Sequence, residues 1–307
     1  MQREIINLLE REGKLSSKTG EELYNIDVDD FINTVKELGL EKTDYINRDK
    51  ITKNLNTEFI GQNLYIFNEV MSTNTIAKFF AENKVPEGTV IISEKQTKAK
   101  GRSDKPWVSP LGGIWLSIIL NPRIDPSKAP LITLATGVAV AKTLEKMGIK
   151  DIEIKWPNDV LIKGKKVSGI LTESIAKFNS LENVIVGVGI DVNLNIDSLP
   201  KELQKAATSL NIETNETLDE SLIIKSFLEE FEEIFLLFQN EKFENILNQW
   251  RKRSYTIGKF VEVKEPYREG YEGCVVGIDQ QGILIVQKRD NTFERVIFGE
   301  CIIKNDI

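Results

Sequence analysis

The chain has 307 residues, of which 41% are hydrophobic and 28% are charged, and its formal net charge at pH 7 is −7. This composition is typical of a folded globular protein with two or three domains, and the acidic balance argues against a broad nucleic-acid-binding surface. The sequence contains no histidine, which excludes Ser-His-Asp and Cys-His catalysis as well as histidine-ligated metal sites.

Residues 1–58 are predicted to form short helices. Apolar stripes run through Ile5–Leu9 and through Phe31–Leu38, and three short helices in this space suggest a helix-turn-helix-like domain. Between Gly20 and Glu41, however, seven acidic residues accompany one basic residue, Lys36. Because phosphate binding needs positive charge, we expect this domain not to bind DNA.

Residues 59–255 are predicted to form a mixed domain with a largely antiparallel sheet and helices on one side. Apolar, β-branched segments predict strands, and IEIK, VLIK and VSGILTE predict hairpins around a Trp-Pro-Asn-Asp turn. Helices are expected after Ser72-Thr73-Asn74, from Pro130 to Met147, and over about 218–238 and 241–252. The predicted long strands are LYIFN (64–68), TVIISE (89–94), GIWLSIIL (113–120) and NVIVGVGIDVNLN (183–195).

Residues 256–307 contain four short apolar segments separated by turn residues, KFVEVK, YEGCVVGI, GILIVQ and RVIFGECII. About fifty residues of this kind predict a small SH3-like barrel. Both cysteines, Cys274 and Cys301, lie in these segments, which favours buried, unreactive thiols. No segment is long and apolar enough for a membrane span, and the N-terminus does not resemble a signal peptide. We therefore expect a cytoplasmic protein without membrane contacts.

A basic loop, QTKAKGRSDKPWVSP (96–110), lies between two of the predicted strands. Lysine and arginine on such a connection can hold an anion, and the loop can close over it as a lid. Trp107 offers a flat apolar surface for a ring. The alternative is a solvated loop that one tryptophan anchors to the protein.

The segment IKWPNDVLIKGKKVSGILTE (154–173) holds a second candidate group. Lys155 ends an apolar strand directly before a rigid Trp-Pro turn, so its ammonium is held at a defined point and can stabilise charge on a phosphoryl oxygen. Asn158 and Asp159 are ordinary turn residues, although Asp159 could also help to hold a cation. Gly169 permits close approach of another group, with simple packing as the alternative.

The segment VGVGIDVN (186–193) places Gly187 and Gly189 in an otherwise apolar strand. Glycine at such positions indicates that a ligand or another backbone passes close by. The segment is not a dinucleotide-binding fingerprint, because the third glycine and the following helix are missing.

Taken in order, STN, Q-T-x5-R-x4-W-x-SP, GGIWLS, KWPND, GKK-x2-GIL-x-E and VGxGI-x-VN resemble the biotin protein ligase family over about residues 60–307. The resemblance implies an α+β fold with a class II synthetase-like mixed sheet, a small helical N-terminal domain and an SH3-like C-terminal barrel. It also implies that biotin and ATP, with Mg²⁺, give biotinyl-5′-AMP, and that biotin is then transferred to a lysine of a biotin carboxyl carrier domain. A homodimer is plausible by the same resemblance.

The resemblance also implies a set of site residues, with Lys155 and Arg102 as the catalytic pair and no assigned metal ligand. Biotin is expected at Ser72, Thr73, Asn74, Gln96, Lys100, Gly101, Arg102 and Lys155. The nucleotide is expected at Trp107, Lys155, Gly187, Gly189 and Asp191.

This chain departs from the family pattern at several of these positions. Ala99 and Asp104 replace glycines of the loop, and Lys100 and Lys105 replace arginines, which keeps the charge but loses bidentate geometry. Asp191 replaces an asparagine, so an amide that can donate a hydrogen bond becomes a carboxyl group. An ionised Asp191 would repel an adenylate unless it were protonated or bridged by Mg²⁺.

Besides a protein that acts only as a biotin ligase, three other functions remain open at this point. The first is a bifunctional biotin-responsive transcriptional repressor and ligase, which would need a DNA-binding N-terminus. The second is a lipoate or octanoyl ligase of the same superfamily, against which the barrel and KWPND argue. The third is an inactive biotin-binding protein, which the changes at Asp104 and Asp191 suggest.

Overall fold

The computed structural model describes residues 28–37, 41, 43–122, 124–177, 180–265 and 269–304. The first two predicted helices, and with them the helix-turn-helix prediction, lie outside the described residues. The third of these helices is described and covers Val28–Glu37.

A seven-stranded mixed sheet forms the centre of the molecule, in the order β1-β2-β3-β7-β6-β5-β4. Strands β1 and β2 are parallel, whereas all other neighbours in this sheet are antiparallel. Every strand predicted for this region is present; β3 and β4 have the predicted ends, and the ends of the others are shifted. The strands are β1 (Leu64–Val70), β2 (Val90–Gln96), β3 (Gly113–Leu120), β4 (Ile152–Lys155), β5 (Asp159–Ile162), β6 (Lys165–Lys177) and β7 (Ser180–Asp191).

Eight α-helices are present in the described parts of the chain. The long ones agree with the sequence prediction to within a few residues, and short 3₁₀ turns lie at Arg102–Asp104, Pro126–Lys128 and Ile196–Ser198. The helices are α1 (Val28–Glu37), α2 (Arg48–Thr52), α3 (Thr73–Glu82), α4 (Pro130–Lys146), α5 (Lys201–Gln204), α6 (Leu210–Thr214), α7 (Glu220–Gln239) and α8 (Phe243–Lys252). None of them is both long and apolar enough to cross a membrane.

Helices cover both faces of the central sheet, so the expectation of helices on one side is wrong. Successive side chains of a strand point to opposite faces. On β3, Ile114, Leu116 and Ile118 belong to the large core formed with α4, α7 and α8, whereas Ile119 belongs to a second core formed with α1 and α3. Both faces of β3 are therefore buried, which explains why its sequence shows no alternation with polar residues.

The described part of the first 58 residues packs against the central sheet. Phe31 of α1 is fully buried, and its ring centroid lies 5.4 to 6.3 Å from those of Phe67, Phe79 and Phe80. On the other face, Ile51 of α2 belongs to the large core. The predicted boundary at residue 58 thus does not separate these segments from the catalytic domain. For residues 1–27 a separate helical domain stays a prediction.

The C-terminal segment forms a five-stranded antiparallel sheet in the order β11-β10-β9-β8-β12, as predicted for a small barrel. It is fixed to the central domain through β4, because Ile154 accepts a hydrogen bond from the Tyr255 amide and the Trp156 indole donates to the Gly282 carbonyl. This attachment brings β12 beside the turn between β4 and β5. The strands are β8 (Phe260–Lys264), β9 (Tyr271–Ile278), β10 (Leu284–Lys288), β11 (Phe293–Val296) and β12 (Glu300–Ile303).

Candidate active site

A cavity of about 420 Å³ opens beside β3, β6 and β7. Its walls are the start of α3, the basic loop after β2, the turn between β4 and β5, and the start of β12. The structure brings every residue predicted for the site to this one cavity. They are Ser72, Thr73, Asn74, Gln96, Lys100, Gly101, Arg102, Trp107, Lys155, Gly187, Gly189 and Asp191.

Hydrogen bonds fix the polar wall at the start of α3. The Oε1 atom of Gln96 accepts from the backbone N–H of Thr73 at 2.8 Å and lies 3.2 Å from its hydroxyl. The Nε2 atom of Gln96 donates to the Ser109 hydroxyl at 3.0 Å. Because the Gln96 amide carries two N–H groups, one donor remains for a ligand. This wall suits a neutral ring with both donors and acceptors.

Asn74 is held on both sides by the sheet below it. Its Nδ2 atom donates to Glu173 at 2.7 Å, and its Oδ1 atom accepts from the Ser117 hydroxyl at 2.6 Å. Gly187 lies directly beneath, where a Cβ atom would collide with the Asn74 amide. Glycine is therefore required at position 187 because Asn74 packs against it. The sequence indicated that another group passes close to Gly187, and that group is the Asn74 side chain.

Trp107 lies over a cross-strand pair of glycines. Gly169 of β6 and Gly189 of β7 are register partners, and a Cβ atom on either would lie 2.8 Å from the indole ring. The ammonium of Lys166 lies 4.8 Å from the centroid of the same ring and forms an ion pair with Asp159 at 2.6 Å. Glycine is needed here because any side chain would displace the tryptophan.

The basic loop folds back on itself next to the cavity. The Gly101 amide donates to the Lys105 carbonyl at 2.7 Å, and the Trp107 amide donates to the Ala99 carbonyl at 2.9 Å. At the tip, Ser103 and Asp104 have φ angles of 55° and 57°. A side chain is strained in this left-handed region, which glycine tolerates without cost.

Two of the five cations that line the cavity are not neutralised by a carboxylate. Three form ion pairs, Lys100 with Asp104, Lys105 with Glu300 and Lys166 with Asp159. Within the described ranges, Arg102 and Lys155 have no carboxylate partner. The cavity therefore presents net positive charge at these two residues, which are the predicted catalytic pair.

Arg102 is held between the loop and the barrel. Its guanidinium donates to Asn158 at 3.3 Å and to the Gly299 carbonyl at 3.1 Å. Burial lowers the pKa of Arg102, and the nearby carboxylates of Asp159 and Glu300 partly offset this effect. The side chain stays charged, because arginine is not deprotonated in proteins under ordinary conditions.

Asp191 ends β7 at the far side of Trp107 and is only 6% exposed. Burial raises the pKa of Asp191 to about 8, although the nearby Lys166 ammonium lowers it in part. The carboxyl group is therefore neutral at pH 7. A protonated carboxylic acid does not repel an adenylate, so the repulsion expected for an ionised Asp191 does not arise.

The two cysteines differ from each other. Cys301 is buried on the cavity wall, as expected, and burial raises its pKa to about 11 against the opposing effect of Lys155 and Arg102. The thiol is thus unreactive at neutral pH. Cys274 is only partly buried, which corrects the expectation for that residue.

A Mg²⁺ site built by the protein alone is not supported by the available donors. Across the described chain no group of three acidic or thiol ligands converges. Of the cavity acids, Asp159 and Glu300 are in ion pairs and Asp191 is neutral. Mg²⁺ prefers oxygen ligands and commonly keeps phosphate oxygens and waters, so here it would enter as the complex with ATP.

Several residues of the site were not predicted from the sequence, among them Lys166, Ser117 and Glu173. Lys166 pairs across β5 and β6 with Asp159, which the sequence indicated as a possible partner of a cation. Ser117 and Glu173 support the start of α3. The start of β12 lines the cavity as well. The pair of lysines in Gly-Lys-Lys offered a signal for Lys166, whereas Ser117 lies within an apolar strand and offered none.

The comparisons with known proteins agree with this geometry. A sequence model of the biotin/lipoate A/B protein ligase family matches residues 66–191, which include β1 to β7 and most of the cavity. The bifunctional ligase/repressor BirA of Bacillus spizizenii is 36% identical over 253 residues, which is 82% of this chain and 77% of that protein. The chain belongs to the biotin protein ligase family and is an enzyme of that class.

Other relatives and a solved structure extend the likeness. The biotin–[acetyl-CoA-carboxylase] ligase of Mycobacterium tuberculosis is 32% identical over 206 residues, covering 64% of this chain and 73% of that one. The structure of the biotin protein ligase from Aquifex aeolicus in complex with biotin and ATP superposes with a TM-score of 0.69 at 28% identity. That match covers 80% of this chain and 100% of the other. The predicted family and fold class are confirmed.

Proposed function

We propose that this protein joins biotin to a lysine of a biotin carboxyl carrier domain in two steps. In the first step, a carboxylate oxygen of biotin attacks the α-phosphorus of ATP, and the bond to the β-phosphate breaks. The products are biotinyl-5′-AMP and pyrophosphate. In the second step, a neutral lysine amine of the carrier attacks the acyl carbon, and AMP leaves as the carbon–oxygen bond breaks. No enzyme nucleophile or histidine is needed for either step.

Biotin binds at the polar wall around Gln96 in this proposal, and the nucleotide binds along Trp107 towards Asp191. Ser72, Thr73 and Asn74 complete the biotin end, and Lys100 and Gly101 belong to the loop that covers it. Mg²⁺ would enter with ATP and would supply charge neutralisation of its phosphates. The protein contributes position and charge, which is how catalysis proceeds without covalent participation of a side chain.

The observation that carries this proposal is the pair of unneutralised cations, Lys155 and Arg102. Arg102 belongs to the loop and Lys155 ends β4, both line the cavity, and each lacks a carboxylate partner in the described chain. The reaction moves negative charge onto an α-phosphate next to an acyl group. Two cations that line one cavity can stabilise that charge more in the transition state than in the separate substrates.

We expect Lys155→Ala to lower the rate of biotin- and ATP-dependent pyrophosphate release by about 10²- to 10³-fold, because one preorganised charge is lost. The measurement is pyrophosphate release together with labelling of a carrier domain. The matched control is Lys95→Ala, which removes a lysine paired with Glu69 outside the cavity and should leave both rates unchanged. If Lys155→Ala labelled the carrier domain as fast as the wild type does, Lys155 would have no catalytic role.

A biotin-responsive repressor that is also a ligase is the second candidate. The Bacillus spizizenii relative is named as a bifunctional ligase/repressor, which favours this reading. The excess of acidic residues between Gly20 and Glu41 opposes it. A gel-shift assay with DNA upstream of its own gene decides between them, since specific DNA binding should weaken steeply as salt rises. We expect no such shift.

The acceptor and the assembly follow from the same proposal. The carrier domain of a biotin-dependent carboxylase is the expected acceptor, in keeping with the name of the Mycobacterium tuberculosis relative. A homodimer is the expected assembly, and sedimentation of the enzyme with and without biotin and ATP tests it.

A further inference from the structure

Glu173 of β6 lies behind the polar wall of the cavity and not on it. Its Oε2 atom accepts a hydrogen bond from the Asn74 side-chain amide at 2.7 Å, and its Oε1 atom accepts one from the Lys78 ammonium at 2.6 Å. Asn74 and Lys78 are four residues apart on α3, so they lie on the same face of that helix. One ionised carboxylate thus accepts from both, and it has no hydrogen to donate.

This carboxylate fixes which way the Asn74 amide points. Because Nδ2 faces Glu173, Oδ1 faces the Ser117 hydroxyl, whose oxygen lies 2.6 Å away. A carbonyl oxygen only accepts, so the single proton of Ser117 is donated to Asn74. The Ser117 oxygen then accepts from the Thr73 hydroxyl, at 2.7 Å. The hydrogen bonds therefore run in one direction, from Thr73 through Ser117 and Asn74 to Glu173.

The members of this hydrogen-bond chain have little access to water. Thr73, Asn74 and Ser117 are all buried. Asn74 also packs closely on β7, where a Cβ atom at Gly187 would lie 2.3 Å from its Oδ1 atom. A buried polar group needs a partner. If one bond of the chain were reversed, the neighbouring groups would have to reverse as well, because solvent cannot supply the missing partners.

The direction of the chain decides what the polar wall offers to a ligand. Thr73 gives its proton to Ser117, so its oxygen presents lone pairs only. Asn74 keeps one of its two N–H groups, as Gln96 does. In the reversed chain, Ser117 would donate to Thr73, and the Thr73 hydroxyl would become a donor. A cyclic urea has one carbonyl acceptor and two N–H donors, so the two patterns are not equivalent for it.

We infer that Glu173 is a positioning residue for biotin. By accepting from Asn74, it sets the pattern of donors and acceptors that the polar wall presents to the urea ring of biotin. Glu173 acts through Asn74 and contacts no substrate itself. The inference rests on the proposed function, which puts biotin at this wall.

Glu173→Gln tests the inference, because it keeps the size of the side chain but replaces one acceptor with a donor. The Lys78 ammonium only donates and takes the remaining acceptor, so the new NH₂ group faces Asn74 and forces that amide to turn over. The dissociation constant of biotin, measured by calorimetry without ATP, should rise by about 10- to 100-fold. The KM for ATP should change little, because the nucleotide end of the cavity is not altered.

Glu69→Gln is the matched control for this substitution. It makes the same change in another lysine–glutamate pair, Lys95 with Glu69, which lies outside the cavity. Biotin should bind to this variant as tightly as to the wild type.

A double variant gives a readout that general damage to the structure would not produce. When Lys78→Met is added to Glu173→Gln, the ammonium no longer competes, and the new amide oxygen can accept from Asn74. The double variant should therefore bind biotin about fivefold or more tightly than Glu173→Gln, which is the non-additivity expected of residues in one network. Lys78→Met alone should not tighten binding, because Glu173 already accepts from Asn74.

Two results would overturn the inference and leave the proposed function intact. One is biotin binding by Glu173→Gln at the wild-type level, and the other is a double variant that binds no more tightly than Glu173→Gln. A wild-type protein that bound no biotin would instead overturn the proposed function, and the inference with it.

Discussion

Gly169 and Gly189 determine where Trp107 can lie. Each glycine leaves a space that the indole fills, and the pair lies side by side on β6 and β7. Trp107 in turn contacts Trp115 of β3 edge to face, with 6.4 Å between the ring centroids. The indole of Trp107 thus fills the space above the two glycines, and the ring of Trp115 contacts it from the side. This geometry gives the cavity a rigid apolar surface at the end where we propose that the nucleotide binds.

We expect Gly189→Ala to raise the KM for ATP by about tenfold or more while changing the KM for biotin little. The added Cβ atom would lie 2.8 Å from the indole, so Trp107 must shift, and overpacking of this kind costs about 1–3 kcal/mol. Steady-state kinetics with each substrate varied in turn checks this outcome.

Gly277→Ala is the matched control for that substitution. Gly277 is also a strand glycine, but a Cβ atom there meets nothing within 4 Å. Both KM values should therefore stay at the wild-type level in this variant. An equal rise in the two KM values of Gly189→Ala would point to general damage rather than to displacement of Trp107.

The residues that could be predicted from the sequence are those whose chemistry lies within one short segment. Lys155 directly precedes a rigid Trp-Pro turn, so its position in the sequence indicated it, whereas Arg102 is one of several cations in a basic loop and was singled out by the resemblance to the family. Ser117 could not be found in this way, because it occupies an apolar strand and its partner Asn74 lies 43 residues earlier in the chain. The Lys105–Glu300 pair spans 195 residues, and nothing local to either residue indicates the other.

At the scale of the elements, strand content was predictable but the layer arrangement was not. Residues 113–120 (GIWLSIIL) and 184–190 (VIVGVGI) are almost continuously apolar, which indicates burial on both faces without saying what covers each face. The structure places α4, α7 and α8 on one face and α1 and α3 on the other. Helix α1 belongs to that second layer even though its sequence is part of a predicted separate domain. The layer to which such a helix belongs depends on the surface against which its apolar stripe packs, and that surface is formed by residues distant in the sequence.

We expect Phe31→Ala to lower the free energy of unfolding of the full-length enzyme by about 3–5 kcal/mol. The substitution leaves a cavity among Phe67, Phe79 and Phe80 in the second core. Chemical denaturation followed by tryptophan fluorescence measures the loss. Tryptophan reports on the central domain here, since Trp107, Trp115, Trp156 and Trp250 all lie in it.

Asn33→Ala provides the control on the same helix, because Asn33 is exposed. Its effect on unfolding should stay within about 0.5 kcal/mol, as for most surface substitutions. If Phe31→Ala were equally harmless, α1 would not be an integral part of the catalytic domain.

At the scale of the whole molecule, Asp191 should make the stability of the free enzyme depend on pH. The folded protein keeps this group protonated up to a pKa of about 8, whereas an aspartate in the unfolded chain has a pKa of 3.8. Between these values the folded state binds more protons, so stability falls as pH rises. The loss reaches at most about 1.4 kcal/mol per pH unit from this one group.

We expect the free energy of unfolding of the wild type to fall more steeply between pH 5 and pH 8 than that of Asp191→Asn. The contribution of Asp191 to the slope should fall through pH 8 and become negligible more than about one pH unit above the folded-state pKa. Denaturant titrations of both proteins without ligand at a series of pH values measure the difference. Parallel curves would mean that Asp191 is ionised in the free enzyme.

The position of β12 on the cavity wall ties the basic loop to a part of the chain that is distant in sequence. The Gly299 carbonyl accepts a hydrogen bond from Arg102 of the loop, and the Glu300 carboxylate accepts one from Lys105. The loop therefore cannot move away from the cavity without breaking its contacts with the C-terminal sheet, so opening of the cavity is coupled to the hold of that sheet on the loop.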